Sequence, residues 1–230
     1  KGLRMPTVLE ALQNRSSKRA YTNEKIPKET LEKILNAAAL TPSGANMQPW
    51  VTYAITNEEV LKNVGDAVIK KMDEGVLNDQ FIQYYPIKWT NPYKKRRIVT
   101  GAGLYKHMDV DRKDDITRVQ MWKDNFRWFG ANTVIFVFTA KANIDEAQGA
   151  FIDCGAYMQS IMLAAQDFGI ESCPQGSTTE FGKVIARTLD IPENLALLYS
   201  VVLGYEDKSS KINAYQPEKV KLGESVTFID

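Results

Sequence analysis

Histidine and cysteine are almost missing from this chain. His107 is the single histidine among 230 residues, and Cys154 and Cys173 are the two cysteines. A Ser-His-Asp set could draw only on His107. A zinc site built from several histidines or cysteines is excluded by count, and no metal site is expected. Two cysteines do not make a disulfide framework, so the chain reads as reduced and cytoplasmic. No apolar run approaches the ~20 residues that span a bilayer. The first five residues, Lys1 to Met5, hold no apolar signal-peptide core. Surplus charge is missing too. The 29 basic and 28 acidic residues leave a formal net charge of +1, which argues against nucleic acid or an anionic membrane as the main partner. Neither G-x-G-x-x-G nor G-x-x-x-x-G-K-[ST] occurs, so a Rossmann fingerprint and a P-loop are unsupported. What remains is ordinary globular composition, 44% hydrophobic and 25% charged. A chain of this length buries ~70–75% of its unfolded surface, enough for one domain with a sizeable core.

Hydrophobic spacing sets out the elements. Segment 27–40 predicts a helix: Pro27 suits its first turn, Leu31, Ile34, Leu35 and Ala38 share a face, and Thr41-Pro42 ends it. Residues 51–56 predict a strand. Asn57 then caps a helix carrying Val60, Leu61, Val64 and Val68 on one side. The run Thr133–Thr139 predicts a strand buried on both faces. A long helix follows over about 145–168, with Phe151, Cys154, Met158, Ile161, Ala165 and Phe168 inward and Gly169 as its stop. Its Gly149, Ala150, Gly155 and Ala156 form a thin surface. A helix at 180–189, a buried strand at 197–204 and a short last strand at 226–229 complete the pattern, which is α/β or α+β. Periodicity is weaker from 76 to 129. There the chain concentrates its 4 Trp, 10 Tyr and 9 Phe, ten of them between Phe81 and Phe129, and five of the ten residues 88–97 are basic. This stretch reads as a lid inserted at about 76–124 of a single 1–230 domain.

Three polar clusters stand out. Arg15-Ser16-Ser17-Lys18-Arg19 combines cations with neutral hydroxyl donors, a set that suits a phosphate, or else a solvated turn. Pro42-Ser-Gly-Ala-Asn-Met-Gln-Pro-Trp50 presents Ser43, Asn46 and Gln48, uncharged donors and acceptors suited to a heterocycle edge. Its plainer reading is a capped turn with Trp50 in the core. Cys173-Pro174-Gln175-Gly176-Ser177 follows the long helix, and Gly176 allows a planar ligand close to the backbone. Its plainer reading is a helix-to-helix turn.

Taken in series, these elements resemble the nitroreductase family of FMN-dependent enzymes. The pattern R-x-S-x-[RK]-x-[FY] is met by Arg15–Tyr21, and P-S-x-x-N-x-Q-P-W is met at every defined position by Pro42–Trp50. A small-residue central helix begins at Asp153, a P-x-G turn stands at Pro174–Gly176, a G-Y pair at Gly204-Tyr205, and K-x-[RK]-L at Lys219–Leu222. The likeness covers about 8–75 and 125–230. It implies an α+β nitroreductase-like fold, with a central, mostly antiparallel sheet flanked by helices, in an intertwined homodimer with flavins at the subunit interface.

Carried over residue by residue, the resemblance implies that Arg15, Ser16, Ser17 and Arg19, with Lys219 and Lys221, hold the phosphate end of FMN. Pro42, Ser43, Asn46 and Gln48 of the partner line the flavin. Pro174, Gln175 and Gly176 face its ring, and Asn125 meets the ring's pyrimidine edge. NAD(P)H is the implied donor and a nitroaromatic or quinone the acceptor, in two-electron ping-pong transfer. No side chain is the catalyst; the flavin carries the chemistry. Gln175 stands where some members have Glu, and Lys221 replaces a common Arg. The lid departs from the general family and resembles a branch acting on nitrobenzoates. Its Tyr84, Tyr85, Trp89, Trp122 and Phe126 are expected to stack a small planar aromatic substrate, or else to pack the lid. Lys88, Lys94, Lys95, Arg96 and Arg97 would draw an anionic substrate, their plainer reading being a solvated charged face. The alternatives are a flavin reductase, a reductive dehalogenase or another activity of the superfamily, or a non-enzymatic flavin-binding protein.

Overall fold

Two nearly uninterrupted β-branched and aromatic runs build the centre. A computed structural model describes residues 6–111 and 113–229. Lys1 to Met5, where no apolar leader core was found, lie outside the described residues. In chain order the described elements are α1 (Val8–Asn14), α2 (Lys28–Ala38), β1 (Val51–Ile55), α3 (Glu58–Asp73), α4 (Tyr93–His107), α5 (Asp115–Lys123), β2 (Thr133–Ala140), α6 (Ala142–Glu146), α7 (Gly149–Gln166), β3 (Glu171–Gln175), α8 (Gly182–Thr188) and β4 (Leu195–Gly204), with short 3-10 turns between some of them. The strands form one sheet in the order β1-β2-β4-β3, every neighbouring pair antiparallel. This is the expected α+β class.

β2 and β4 occupy the middle and are buried along nearly their whole length. Alternation sends Val134, Phe136 and Phe138 of β2 to one face, where α3 and α8 cover them with Leu61, Val64, Val68, Val184 and Ile185. Ile135 and Val137 go to the other face, under Ile34 and Ala38 of α2 and Cys154, Tyr157 and Ile161 of α7. Asn57 caps α3 as expected, its side chain accepting from Glu59 and Val60 N–H at 3.0 and 3.1 Å. The C-terminus of α2 is closed by the Thr41 hydroxyl, which donates to Ala38 O at 2.7 Å.

Four expectations need correction. The long helix over 145–168 is two helices, because Ala147 leaves helical geometry at φ −139° and ψ 60° between α6 and α7. Phe168 lies past the end of α7 and is 37% exposed, not part of its inner face. The segment 173–177 is not a helix-to-helix turn. Its first three residues complete β3, which tolerates Pro174 because the strand lies at the sheet edge. Residues 226–229 form no strand: they pair with none of the described strands, and Phe228 and Ile229 are exposed. The lid stretch contributes α4 and α5, on neither of which any residue is buried.

The turn joining α5 to β2 packs tightly on α3. Trp128 donates its indole N–H to Leu61 O at 2.8 Å, and a Cβ added to Gly65 would stand 2.0 Å from Phe126 O. Gly65→Ala gains ~1 kcal/mol of helix propensity and loses up to ~3 kcal/mol by forcing the two backbones apart. We expect a net loss of ~2 kcal/mol in urea-induced unfolding, with the midpoint shifted and the slope unchanged.

Candidate functional site

The cationic cluster starts where α1 stops. Arg15 is the C-cap of that helix, and the chain then runs extended to residue 22. Two partners fix it. Ser17 bridges in parallel to Ser172 of β3, and Lys18 N–H donates to Ser172 O at 3.1 Å. On the other side Tyr21 bridges to Glu206, and Thr22 N–H donates to Tyr205 O at 2.9 Å. Lys18 turns inward, 8% exposed, and pairs with Glu206 at 2.7 Å. Removing one member of such a buried pair costs ~3–5 kcal/mol, so Lys18 is structural. Arg15 and Arg19 remain partly exposed, and neither has a carboxylate partner within ion-pair distance among the described residues. Among the described residues the one hydrogen bond of the Arg19 guanidinium is a 3.4 Å contact to Ser17 O. The Ser16 and Ser172 hydroxyls are buried without a partner among the described residues. Two uncommitted guanidinium groups with orphaned hydroxyls beside them fit a phosphate monoester.

β3 leads to the second part. Gln175 is 3% exposed, and its side chain points into the protein: Nε2 donates to Asn125 O at 2.8 Å and Oε1 accepts from Ser200 Oγ at 3.1 Å. This corrects the expectation that its amide faces a flavin. Register sets Gln175 opposite Ser200 on β4, and the two polar groups satisfy each other. What the turn offers outward is backbone. Asn125 is held by Ser177 Oγ at 3.3 Å and by its own Nδ2 donating to Trp122 O at 2.9 Å. Asn125, Trp122 and Arg19 line one cavity of about 190 Å³ together with Tyr105 of α4 and Asp124. The phosphate-type cluster and the turn are therefore joined through Asn125.

At Gly176 the Tyr84 ring lies so close that a Cβ would stand 2.6 Å from it. Tyr84 meets Tyr85 edge-on at 4.8 Å, Tyr85 meets Trp89 at 5.7 Å, and the Arg97 guanidinium lies 4.8 Å above the Trp89 ring. This makes an aromatic wall from Gly176 to α4. Burial pushes the Tyr85 phenol and the Glu180 carboxyl upward, the latter opposed by Arg97. Phe126 does not join the wall. It is 1% exposed and packs edge-on against Phe181 at 5.3 Å, so its assignment to substrate is corrected to core. Trp122 packs on the same core at 6.3 Å from Phe181. Lys88, Lys94, Lys95 and Arg96 are exposed. His107, the last residue of α4, is half-buried, and its Nε2 meets Lys211 O at 2.8 Å.

The loop 42–50 stands elsewhere. It enters β1, one edge of the sheet, whereas Gly176 follows β3, the other edge. Three strand spacings separate the edges, about 14 Å. Asn46 and Gln48 are exposed, and Ala45, Asn46 and Gln48 all hold positive φ, between 46° and 56°. Ser43 Oγ accepts Gln48 N–H at 2.9 Å, and Asp153 of α7 accepts Gly44 N–H at 3.2 Å. Trp50 is half-buried and stacks on Tyr157 at 4.7 Å. Lys219 and Lys221 lie in the exposed tail and make no side-chain hydrogen bond or ion pair among the described residues. The single chain holds the loop at the opposite edge of the sheet from the Gly176 turn. Sequence reasoning did not single out Ser172, Ser200, Glu206 or Asn213, which hold the site from behind. No motif marks them.

Both thiols are buried and free. Burial pushes Cys154 up to about 12 and raises Cys173 as well, the latter partly offset by Arg19 and Ser17. A raised thiol pKa leaves less thiolate at a given pH. We expect neither cysteine to react with a disulfide reagent at pH 8 in the folded protein and both to react in denaturant, as counted by thiol titration.

Comparison with known proteins gives a consistent set. The Nitroreductase family's sequence model matches residues 12–205. A 4-nitrobenzoate reductase of Nocardioides sp. (strain LMS-CY) is 30% identical over 221 residues, spanning 95% of this chain and 88% of that protein. A chloronitrobenzene nitroreductase of Comamonas testosteroni is 29% identical over 226 residues, 97% of each chain. Among solved structures, the FMN and NADPH-dependent nitroreductase NfnB from Sphigopyxis sp. strain HMH superposes with a TM-score of 0.93 at 28% identity, over 98% of this chain and 100% of that one.

Proposed function

The chain belongs to the nitroreductase family, and on that premise we propose that it is an NAD(P)H-dependent FMN oxidoreductase reducing nitroaromatic or quinone acceptors. The observation that carries this reading is the pair of uncommitted guanidinium groups, Arg15 and Arg19, set beside the orphaned Ser16 hydroxyl and linked through Asn125 to the Gly176 turn. When bound, FMN supplies the redox chemistry, taking a hydride equivalent from NAD(P)H and passing two electrons to the acceptor.

The chain's own residues do the rest. Arg15, Ser17 and Arg19 hold the phosphate, with Ser16 as a buried neutral donor and Lys219 and Lys221 of the tail adding positive charge. Gly176 lets the Tyr84 ring lie against the backbone, since a Cβ there would collide with it, and Pro174 and Gly176 would face the flavin ring beside that tyrosine. Asn125, which lines a cavity with Arg19, would meet the ring's polar edge, and Gln175 holds the Asn125 backbone from within. Tyr84, Tyr85 and Trp89 form the surface on which donor and acceptor stack in turn, which gives ping-pong kinetics. The basic face of α4 attracts anionic acceptors to it.

We also propose a homodimer. Pro42, Ser43, Asn46 and Gln48 sit at the far edge of the sheet from Gly176, so they serve a flavin held by the other subunit. Apolar side chains left exposed on α1 and α7 and in the tail, among them Val8, Leu9, Ile152, Phe228 and Ile229, supply surface for such an interface. No described helix is long and apolar enough to cross a membrane. Free buried thiols suit the cytoplasm, where we place the protein. The chain is one domain, with 76–124 as its lid.

Purified protein is expected to be yellow and to bleach anaerobically on addition of NADH or NADPH, then regain its colour with a nitroaromatic. Colourless protein that takes up no FMN defeats the proposal. Arg19→Ala is expected to weaken FMN retention about tenfold, read by flavin content after dialysis. Sedimentation equilibrium is expected to give twice the chain mass of 25.9 kDa; a 25.9 kDa species that still turns over substrate rules out the shared site.

A further inference from the structure

Asn213 lies beyond the stretch matched by the family model, in a polar segment where most neighbours are exposed, yet it is 3% exposed itself. Its side chain is fully used on backbone. Oδ1 accepts the Arg19 N–H at 2.7 Å, and Nδ2 donates to Ala20 O at 2.8 Å and to Asp207 O at 3.0 Å. Its own carbonyl accepts Lys18 Nζ at 3.4 Å, while that ammonium pairs with Glu206 at 2.7 Å.

The neighbouring backbone groups have other partners. Lys18 N–H is taken by Ser172 O and Ala20 O also accepts from Asp207 N–H, whereas Arg19 N–H has Asn213 as its one partner among the described residues. Asn213 thus fixes the backbone of Arg19, one of the two arginines of this segment whose guanidinium has no carboxylate partner among the described residues. We propose that Asn213 is a positioning residue for phosphate recognition: it presets Arg19 so that a flavin phosphate meets an ordered cation. The inference rests on the reading of Arg15–Arg19 as the FMN phosphate site. Its physical basis is pre-organisation, since a group already ordered loses less freedom on binding. The 3-10 turn that carries Asn213, Lys211–Ala214, also receives the lid: His107 meets Lys211 O, and Tyr215, just after the turn, donates its hydroxyl to Thr100 O at 2.8 Å. Tyr215 therefore serves as a control that loosens the lid contact while leaving Asn213 in place.

The test compares FMN with riboflavin, which lacks the phosphate, by fluorescence titration of the flavin-free full chain. Asn213→Ala is expected to raise the Kd for FMN about tenfold and that for riboflavin less than about twofold. Tyr215→Phe is expected to leave the ratio of the two unchanged. Equal weakening of both flavins, an unchanged FMN Kd, or the same ratio shift in Tyr215→Phe overturns the proposal. Asn213→Ser keeps a polar group in the pocket but is too short to reach Arg19, and its ratio decides the matter if the alanine variant does not fold. Arg19→Ala separates the two levels. If it weakens FMN selectively and Asn213→Ala does not, Asn213 has no positioning role and the phosphate reading stands. If neither discriminates between the flavins, the phosphate reading itself fails.

Discussion

The antiparallel pairing of β2 with β4 is the constraint on which the rest depends. Both strands are buried on both faces, so each face of the pair must be covered by separate helices, α3 and α8 on one side and α2 and α7 on the other. That leaves β1 and β3 as edges, and the polar elements at those edges cannot meet across the buried pair. In the proposed homodimer, a site composed from both edges would draw on two copies. The same pairing explains why Gln175 faces inward. A polar residue at the inner register position of β3 lies against β4, where it is tolerable only because Ser200 and Asn125 satisfy its amide.

Much of this fold was legible because burial on two faces leaves a sequence with no room for polar residues. Thr133–Thr139 and Leu197–Gly204 carry that signature, and α2 and α3 carry a one-face stripe with a cap or a proline to mark their ends. β3 was not legible. Glu171-Ser-Cys-Pro-Gln175 has neither alternation nor β-branched residues, and its place in the sheet comes from pairing with β4 and from the Ser17 bridge, which are long-range contacts. The break between α6 and α7 was hidden for a related reason. Ala147 and Gln148 are both good helix formers, and what separates the helices is a local backbone departure at Ala147 that the neighbouring Gly149 signals weakly.

The candidate site divides the same way. Residues that offer charge or a missing side chain, such as Arg15, Arg19 and Gly176, are visible as types. Residues that hold them are not. Asn213 is one asparagine in a polar tail, and Ser172 and Ser200 are small polar residues inside strands; their value lies in what they touch. The aromatic residues show a third case. Composition could not separate Tyr84, Tyr85 and Trp89, which form an open wall, from Phe126, which fills the core beside Phe181. All are large rings in one weakly periodic stretch, and only packing against α8 and its preceding turn decides which are withdrawn.

The loop 42–50 shows how strain and position are linked. Ala45, Asn46 and Gln48 adopt left-handed backbone angles without being glycine, a conformation that costs about 1 kcal/mol or more for each residue. Such a loop persists only if its surroundings over-determine it, and here they do. Ser43 Oγ takes the Gln48 N–H, Asp153 takes the Gly44 N–H, and Thr139 Oγ1 donates to Pro49 O at 2.9 Å. None of these bonds buries Asn46 or Gln48, which stay exposed at the rim. A fold that spends three anchors to hold uncharged polar side chains in the open is shaped for something outside the chain. In the proposed homodimer that would be the flavin held at the β3 edge of a second copy.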